Sequence, residues 1–386
     1  MRLVVLREQT EQETRVAVTP DLAKKYNAAG YQVMIEENAG QAAGYPDEHY
    51  HAAGASLFTD IAAALKEADL VLTVQAPSVE QLQQMKQGAV VVGMLDPHRQ
   101  RIQLDVAAAQ KITLFAMELV PRITRAQSMD VLSSQANLAG YRAVLEAAQH
   151  YKKAFPMLMT AAGSIAPARV FVMGAGVAGL QAIATAKRLG AIVSATDVRM
   201  VAKEQVESLG ASFVMVEDDE LKQAETSGGY AKEMSDAYKQ KQAAFIADHI
   251  QKQDVVICTA LIPGRPAPVL VTEEMVKSMK PGSVIVDMAV AQGGNYPNSV
   301  KDQVVEQHNV TIVGYSNLPS RVATDASQLY AKNLQNFLAL ITDARGPVMS
   351  VDWNDEIVRA SALTHDGKLV HPQFGGPAAA APTQAA

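Results

Sequence analysis

Two doubly wound α/β domains, each built on a parallel Rossmann-like sheet and separated by a deep interdomain cleft, are what this sequence predicts. Three observations lead there. The chain has 386 residues, more than one ordinary core holds, since domains usually run to about 100–200 residues. Short β-branched runs alternate with helical patterns almost throughout, as parallel sheets joined by crossover helices require. A glycine turn of the form GxGxxG stands between one of these runs and the helix behind it.

In the first third, LVVL (3–6), VMIEE (33–37), LVLTV (70–74), VVVGML (90–95) and TLFAM (113–117) read as strands. Between the first two, PDLAKKYNAAG reads as a helix that Pro20 opens and Gly30 ends. A helix follows Asp130 and runs to about His150, with Leu132, Leu138, Tyr141, Val144, Leu145 and Ala148 at helical spacing. The second strand series is RVFVM (169–173), AIVSAT (191–196), SFVMV (212–216), VVICTA (255–260), SVIVDMAV (283–290) and TIVGY (311–315). Helical DASQLYAKNLQNFLALI (325–341) comes next, then a small strand-rich end whose HDGK turn (365–368) suits a hairpin. We expect an N-terminal domain over 1–130 plus 320–375 and a second domain over 131–319, inserted into the first. The low-complexity stretch 376–386 is expected to be a disordered tail.

Composition excludes several classes. Hydrophobic residues make up 48% and charged residues 19%, which is globular rather than disordered. A net charge of −6, without any dense Lys/Arg run, argues against a nucleic-acid surface. The one cysteine, Cys258 in an apolar run, excludes a disulfide framework and a multi-cysteine metal site, and no metal is expected. No apolar run approaches the roughly 18–20 residues that span a bilayer. The opening MRLVVLREQTEQETR is unlike a signal or transit peptide, so a cytoplasmic chain is expected.

The sharpest local signal is RVFVMGAGVAGLQAIATAKRLGAIVSATDVR, which holds strand, glycine turn, helix, strand and acidic terminus in order. Gly174 permits the tight turn, Gly176 lets backbone approach a pyrophosphate, and Gly179 allows close helix–strand packing. The following helix turns its free N–H groups toward the phosphates. Asp197 closes the next strand 18 residues after Gly179, near the spacing of a ribose-binding carboxylate. A carboxylate there accepts from ribose hydroxyls and repels a 2′-phosphate, which favours NAD(H) over NADP(H). Arg199 pulls the other way if it meets a phosphate, or is merely half of a surface ion pair.

Between SFVMV and the next strand lies EDDELKQAETSGGYAKEMSDAYKQKQ, far longer than the usual connection. Gly228 and Gly229 supply hinge freedom and Tyr230 a flat ring, as a lid over the nucleotide needs. The alternative is a solvated helical excursion.

Taken together, PRITRAQSMD, NLAGYRAV, GAGVAGLQAIATAKRLGA, KEQVESLGA, GGYAKEMSDA, TALIPGRPAPVL and GSVIVDMAV closely resemble the NAD(H)-binding component of proton-translocating NAD(P) transhydrogenases. The resemblance covers nearly the whole chain apart from its tail. Alanine dehydrogenases resemble it too, through the two-domain plan and the opening RVAVTP (15–20). That second family carries an Arg in the RVA segment, a Lys before a Glu-Pro pair, a His after the next strand and an Asp before QGG. This chain keeps Arg15 but has Gln75, Asp96 (with His98 nearby) and Ala291 at the other places. An amino-acid dehydrogenase needs an acid/base set at a carbon bearing nitrogen. Hydride exchange between two nicotinamides releases no proton at the redox step and needs only placement and exclusion of water.

The resemblance implies an AB-specific (Si–Re) transhydrogenase subunit with NAD(H) bound here and NADP(H) on a separate component. It also implies a homodimer clasped by a hairpin in MLMTAAGSIAPAR (157–169), and a membrane subunit that conducts protons. The subunit would lie on the cytoplasmic face of the inner membrane, held through its partners. The alternative is a soluble alanine dehydrogenase-like enzyme. By position, the resemblance assigns Arg122, Gln127, Asp130 and Ser133 to orienting the nicotinamide. It assigns Ile123, Thr124, Gly174, Gly176, Val177, Gly179, Asp197, Val198, Arg199, Gly229, Tyr230, Gln242 and Leu261 to the nucleotide. In RITRAQSMD (122–130), Gln127 offers the donor and acceptor that match a carboxamide. Arg122 and Asp130 are expected to brace each other or the ring's substituents, and Arg125 to be solvated.

Overall fold

The computed structural model describes residues 1–10, 12–216, 236–262, 264–343 and 345–375. The lid expected around Gly229 and Tyr230, and the tail, lie outside the described residues. The chain divides into two compact units, Met1–Gln135 with the chain from Ser320 onward, and Ala136–Pro319.

In the first unit, strands β1 (Arg2–Val5), β2 (Gln32–Glu36), β3 (Ser56–Phe58), β4 (Leu70–Leu72), β5 (Val90–Gly93) and β6 (Thr113–Ala116) run parallel. Helix α1 (Pro20–Ala28) begins as expected, with Pro20 in its first turn and the Thr19 hydroxyl accepting from the Leu22 N–H. Gly30 ends it at φ +89°, where its N–H bonds the Asn27 carbonyl. Helix α2 (Val131–His150) leads into the second unit.

The second unit opens with an exposed two-stranded hairpin, β7 (Leu158–Thr160) and β8 (Gly163–Ile165). Its sheet holds β9 (Arg169–Met173), β10 (Ile192–Thr196), β11 (Ser212–Phe213), β12 (Val255–Cys258), β13 (Val284–Asp287), β14 (Val304–Gln307) and β15 (Val310–Val313). Helices α3 (Val177–Arg188) and α4 (Asp236–Ile250) belong to this unit. The chain then returns to the first unit through α5 (Ala323–Ile341) and the hairpin β16 (Ala362–His365) and β17 (Lys368–Leu369). Asp366 at φ +45° and Gly367 at φ +78° turn that hairpin, which is why the HDGK sequence suits it.

Strand order in the first sheet is β17-β16-β6-β5-β4-β1-β2-β3, and in the second β11-β10-β9-β12-β13-β15-β14. Counting parallel strands, each therefore contains the doubly wound order 3-2-1-4-5-6, with its switch point at β1/β4 and at β9/β12, and in the second sheet antiparallel β14 adds an edge beyond β15. Alternation along the strands fills both faces: Leu3 and Val5 point to one core, Val4 to the other. Tyr330, Leu334 and Phe337 of α5 cover the first face of that sheet. In the second unit Val170 and Val172 meet α2 and α3, while Phe171 and Met173 face the opposite cluster.

The run SFVMV yields only a two-residue strand. Beyond Val214, whose N–H bonds Ala195 O, the Val216 N–H turns to the Gln242 side chain at 2.9 Å. Strands β3 and β14 are additions to the sequence reading: β3 is three residues long, and β14 is a half-exposed antiparallel edge strand.

Candidate active site

The glycine turn of the second unit sits at the switch point between β9 and β12. Gly174 adopts φ +105°, and a Cβ there would lie 2.5 Å from Thr259 Oγ1. That hydroxyl donates to the Gly174 carbonyl at 3.0 Å. Gly179 tolerates no side chain, because a Cβ would stand 1.8 Å from Gly174 O. Gly176 differs: a Cβ there meets no protein atom within 4 Å. It caps α3 without a side-chain hydrogen bond, so the first-turn N–H groups of Val177 and its neighbours have no side-chain cap and are available to an anion. The space beside Gly176, the uncapped helix start and Asp197 together fit a dinucleotide pyrophosphate and ribose.

Asp197 closes β10 and is held from two sides. Its Oδ2 accepts from the Ala175 N–H at 2.7 Å, which ties it to the glycine turn. Arg199 grips it through Nε to Oδ1 and Nη2 to Oδ2, at 2.9 and 3.0 Å, and its own N–H adds a bond of 2.8 Å to Oδ1. Burial alone would raise the Asp197 carboxyl, but Arg199 and these N–H donors outweigh it and hold the group below the usual carboxylate range. Val198 between them is 79% exposed. Gln242, on α4, links the ends of β10 and β11 by accepting from Val216 N and reaching Thr196 Oγ1 at 3.4 Å. Leu261 is exposed on the loop after β12.

In the first unit, RITRAQSMD is a folded feature and no slack connection. Thr124–Met129 form a 3-10 turn pinned by buried Ala126 and Met129, with Ile123 packed against the core. Asn333 and Asn336 of α5 both donate to the Ser128 carbonyl, at 2.9 and 3.0 Å. Asp130 caps α2, its Oδ1 accepting from Ser133 N at 2.8 Å and its Oδ2 from Ser133 Oγ at 2.6 Å. Both oxygens of Asp130 thus accept from Ser133, and of the two expected arrangements the mutual Arg122–Asp130 pair is not formed, which leaves the ring's substituents. Arg122 makes no ion pair among the described residues and is exposed, as are Thr124 and Gln127. Arg125 is not merely solvated: it forms a forked pair with Asp355, at 2.6 and 3.1 Å.

At the C-terminal ends of β1 and β4 the same unit holds a polar cluster. Arg15 donates through Nε and Nη2 to the two oxygens of buried Glu13, at 2.7 and 2.6 Å, and through Nη1 to Gln135 at 2.8 Å. Gln75 accepts from Thr10 Oγ1 at 2.9 Å and donates to Glu13 at 3.2 Å. Burial, with help from the Glu13 charge, pushes the Glu8 carboxyl up to about 8, although the Val74 and Gln75 N–H groups bond it. Of the positions compared with the alanine dehydrogenases, Gln75 does not titrate, and Asp96 lies exposed on a turn at φ +42°, 3.7 Å from the Arg99 guanidinium. His98 rests against Phe374, ring centroids 5.0 Å apart. A groove of about 660 Å³ elsewhere in this unit, bordered by Lys24, His49 and Lys332, contains none of the residues singled out.

Several contacts escape the sequence reading. A Cβ on Gly140 of α2 would lie 2.0 Å from Ala178 O, so this glycine lets α2 approach the start of α3. Its signal is a lone glycine within an otherwise helical stretch. Thr259 reads in the sequence only as part of the strand run VVICTA and of the segment TALIPGRPAPVL, with no role of its own.

Comparison with known proteins then adds what geometry cannot. Residues 4–139 match the family described as alanine dehydrogenase/PNT, N-terminal domain, and residues 143–372 match its C-terminal domain counterpart. The chain is 51% identical over 381 residues to the first of the chains that make up NAD(P) transhydrogenase subunit alpha in Rhodospirillum rubrum, covering 97% of this chain and 99% of that one. The crystal structure of a transhydrogenase from Sinorhizobium meliloti superposes with a TM-score of 0.87 at 50% identity, covering 96% of this chain and 100% of that one. An alanine dehydrogenase of Halomonas elongata is 29% identical over 378 residues, 96% of this chain and 95% of that one.

Proposed function

The chain belongs to the alanine dehydrogenase/PNT family, and from that premise we propose that it is the NAD(H)-binding subunit of a proton-translocating NAD(P)⁺ transhydrogenase. The observation that carries this reading is 51% identity along almost the whole of a transhydrogenase alpha-subunit chain, against 29% to an alanine dehydrogenase. The chemistry agrees. Gln75 and Ala291 stand where an amino-acid dehydrogenase is expected to carry its lysine and aspartate, and Gln75 is hydrogen-bonded to Thr10 and Glu13.

The bound nicotinamide supplies or accepts the hydride; this chain supplies its placement. Gly174, Gly176, Val177 and Gly179 receive the pyrophosphate, and Asp197, Val198 and Arg199 the adenosine ribose. NAD(H) is favoured over NADP(H) because Asp197 is held ionised and repels a 2′-phosphate. Gln242 and Leu261 are further nucleotide contacts, as are Gly229 and Tyr230 outside the described residues. Gln127 orients the carboxamide, with Arg122, Ile123 and Thr124 beside it. Asp130 and Ser133 act by fixing the start of α2. No general acid or base enters, since the redox step moves no proton to or from the protein.

NADP(H) belongs to a separate component and proton conduction to a membrane subunit. Among the described residues no helix is long and apolar enough to cross a membrane, and in this reading attachment to the cytoplasmic face runs through those partners. A homodimer is the natural occupant of the hairpin β7–β8, where Met159 is 79% exposed beside exposed Leu158 and Ile165. The test is reconstitution. The purified chain binds NADH and, mixed with an NADP(H)-binding partner, restores hydride exchange. Absence of either, or strong alanine-dependent NAD⁺ reduction by the chain alone, overturns the proposal.

A further inference from the structure

The motif QGG persists in this chain although Ala291 stands where alanine dehydrogenases carry an acid beside it. The structure shows what the motif holds. Gly293 at φ +96° and Gly294 at φ +81° make a left-handed turn after β13, and a Cβ on Gly294 would lie 2.7 Å from Asp287 Oδ2. Fully buried Asp287 closes the turn by accepting from the N–H groups of Ala289, Asn295 and Tyr296 and from Ser299 Oγ, at 2.7 to 3.1 Å.

This fixed turn grips the loop that follows β12. Buried Asn295 donates through Nδ2 to the carbonyls of Ala260 (2.9 Å) and Pro268 (2.8 Å), and accepts from Ala260 N at 3.2 Å. With the Gln292 amide assigned so that both its oxygen and its nitrogen find partners, the nitrogen donates to Ile262 O (3.1 Å) and Arg265 O (3.0 Å), and the backbone carbonyl accepts from Ala267 N at 2.8 Å. At the other end of the loop, Thr259 bonds the carbonyls of Met173 and Gly174. Glycine turn, β12 loop and QGGN turn are therefore one hydrogen-bonded body.

The strand order tells which half of a dinucleotide this body serves. Asp197 ends β10, on one side of β9, and takes the adenosine ribose; β12 lies on the other side. A dinucleotide crossing the switch point places its second half over β12. Resting on the nucleotide reading above, we infer that Gln292 and Asn295 are positioning residues for the nicotinamide half of NAD(H), acting through the loop that carries Leu261.

The test uses Gln292→Glu, which keeps the side chain's shape but replaces its two donated bonds with a carboxylate facing carbonyls. In the full chain, NADH affinity is followed by nicotinamide fluorescence, AMP affinity by calorimetry and folding by Tm. The expected result is NADH binding weakened about tenfold, on the scale of one or two lost hydrogen bonds. AMP binding stays within about twofold, because the adenosine side is untouched. If Gln292→Glu fails to fold, Gln292→Ala decides by the same split. Unchanged NADH affinity, or equal weakening of NADH and AMP, overturns the brace. Wild-type protein that binds no NADH overturns the nucleotide reading itself, an outcome distinct from wild-type binding with an indifferent variant.

Discussion

Arg199 and Asp197 form a forked ion pair in which the carboxylate is 7% exposed and the guanidinium 42%. The acid assigned to ribose recognition is thus already ionised and oriented before any hydroxyl reaches it. Asp197→Asn removes the charge and leaves a similar shape. NADH binding is expected to weaken at least about tenfold, the scale of a charge-assisted hydrogen bond. NADPH binding should hold or improve, since the like charge is gone. Fluorescence titration with both nucleotides checks this, and parallel losses for the two would refute the selecting role.

The glycine turn separates a folding requirement from a binding one. Gly179→Ala drives a Cβ against Gly174 O, at 1.8 Å in the present geometry, and is expected to cost about 1–3 kcal/mol or more. Gly176→Ala meets no protein atom and should leave the denaturation midpoint nearly unchanged while weakening NADH binding. Denaturant melts beside nucleotide titrations distinguish the two.

Gln127→Asn retracts the amide by one methylene. Hydride exchange in the reconstituted complex is expected to slow on the order of a hundredfold, as for a misplacement of about 1 Å. NADH affinity should change far less. Stopped-flow rates against equilibrium binding decide, and equal losses in both would rule out an orienting role.

Glu8 supplies a pH dependence with a definite sign. Its folded-state carboxyl is raised from 4.5 to about 8, so between those values the folded state holds the proton more tightly than the unfolded chain. Its contribution is fully present below about pH 4.5 and is lost as pH rises through about 8. Glu8→Gln mimics the protonated form. Compared with the wild type, it should show a smaller loss of stability on going from about pH 5 to about pH 8. Urea midpoints across that range measure the difference, and parallel curves would exclude Glu8 as the cause.

What the sequence disclosed was what lies close together along it. The strand runs, the Gly174–Gly179 turn and Asp197 fall within thirty residues or so of one another, and their spacing alone carries the chemistry. The first-unit sheet was equally plain, because Leu3, Val4 and Val5 alternate between two buried faces. Long-range partners left no such trace. Asp355 lies 230 residues from Arg125, so that arginine read as solvated. Asp130 read as a brace for Arg122 or for the ring's substituents, and nothing in the sequence marked Ser133, three residues on, as the donor that both its oxygens meet. Asn295 reaches Ala260 across 35 residues, and nothing in either segment announces the bond. Glu8 drew no reading from the sequence, because its perturbation comes from burial, which follows from the fold.

The discontinuous first unit also bears on how the chain leaves the ribosome. Its six parallel strands are synthesised first, with Leu22, Ala23 and Tyr26 of α1 against one face, but that face stays incomplete until Tyr330, Leu334 and Phe337 arrive from α5. The residues between, Ala136–Pro319, emerge as a complete unit with both faces of their sheet covered. Domains fold as units during synthesis. The nascent chain therefore finishes its middle before its beginning, and a truncation ahead of α5 leaves the opening 135 residues with one sheet face partly exposed while sparing the glycine turn.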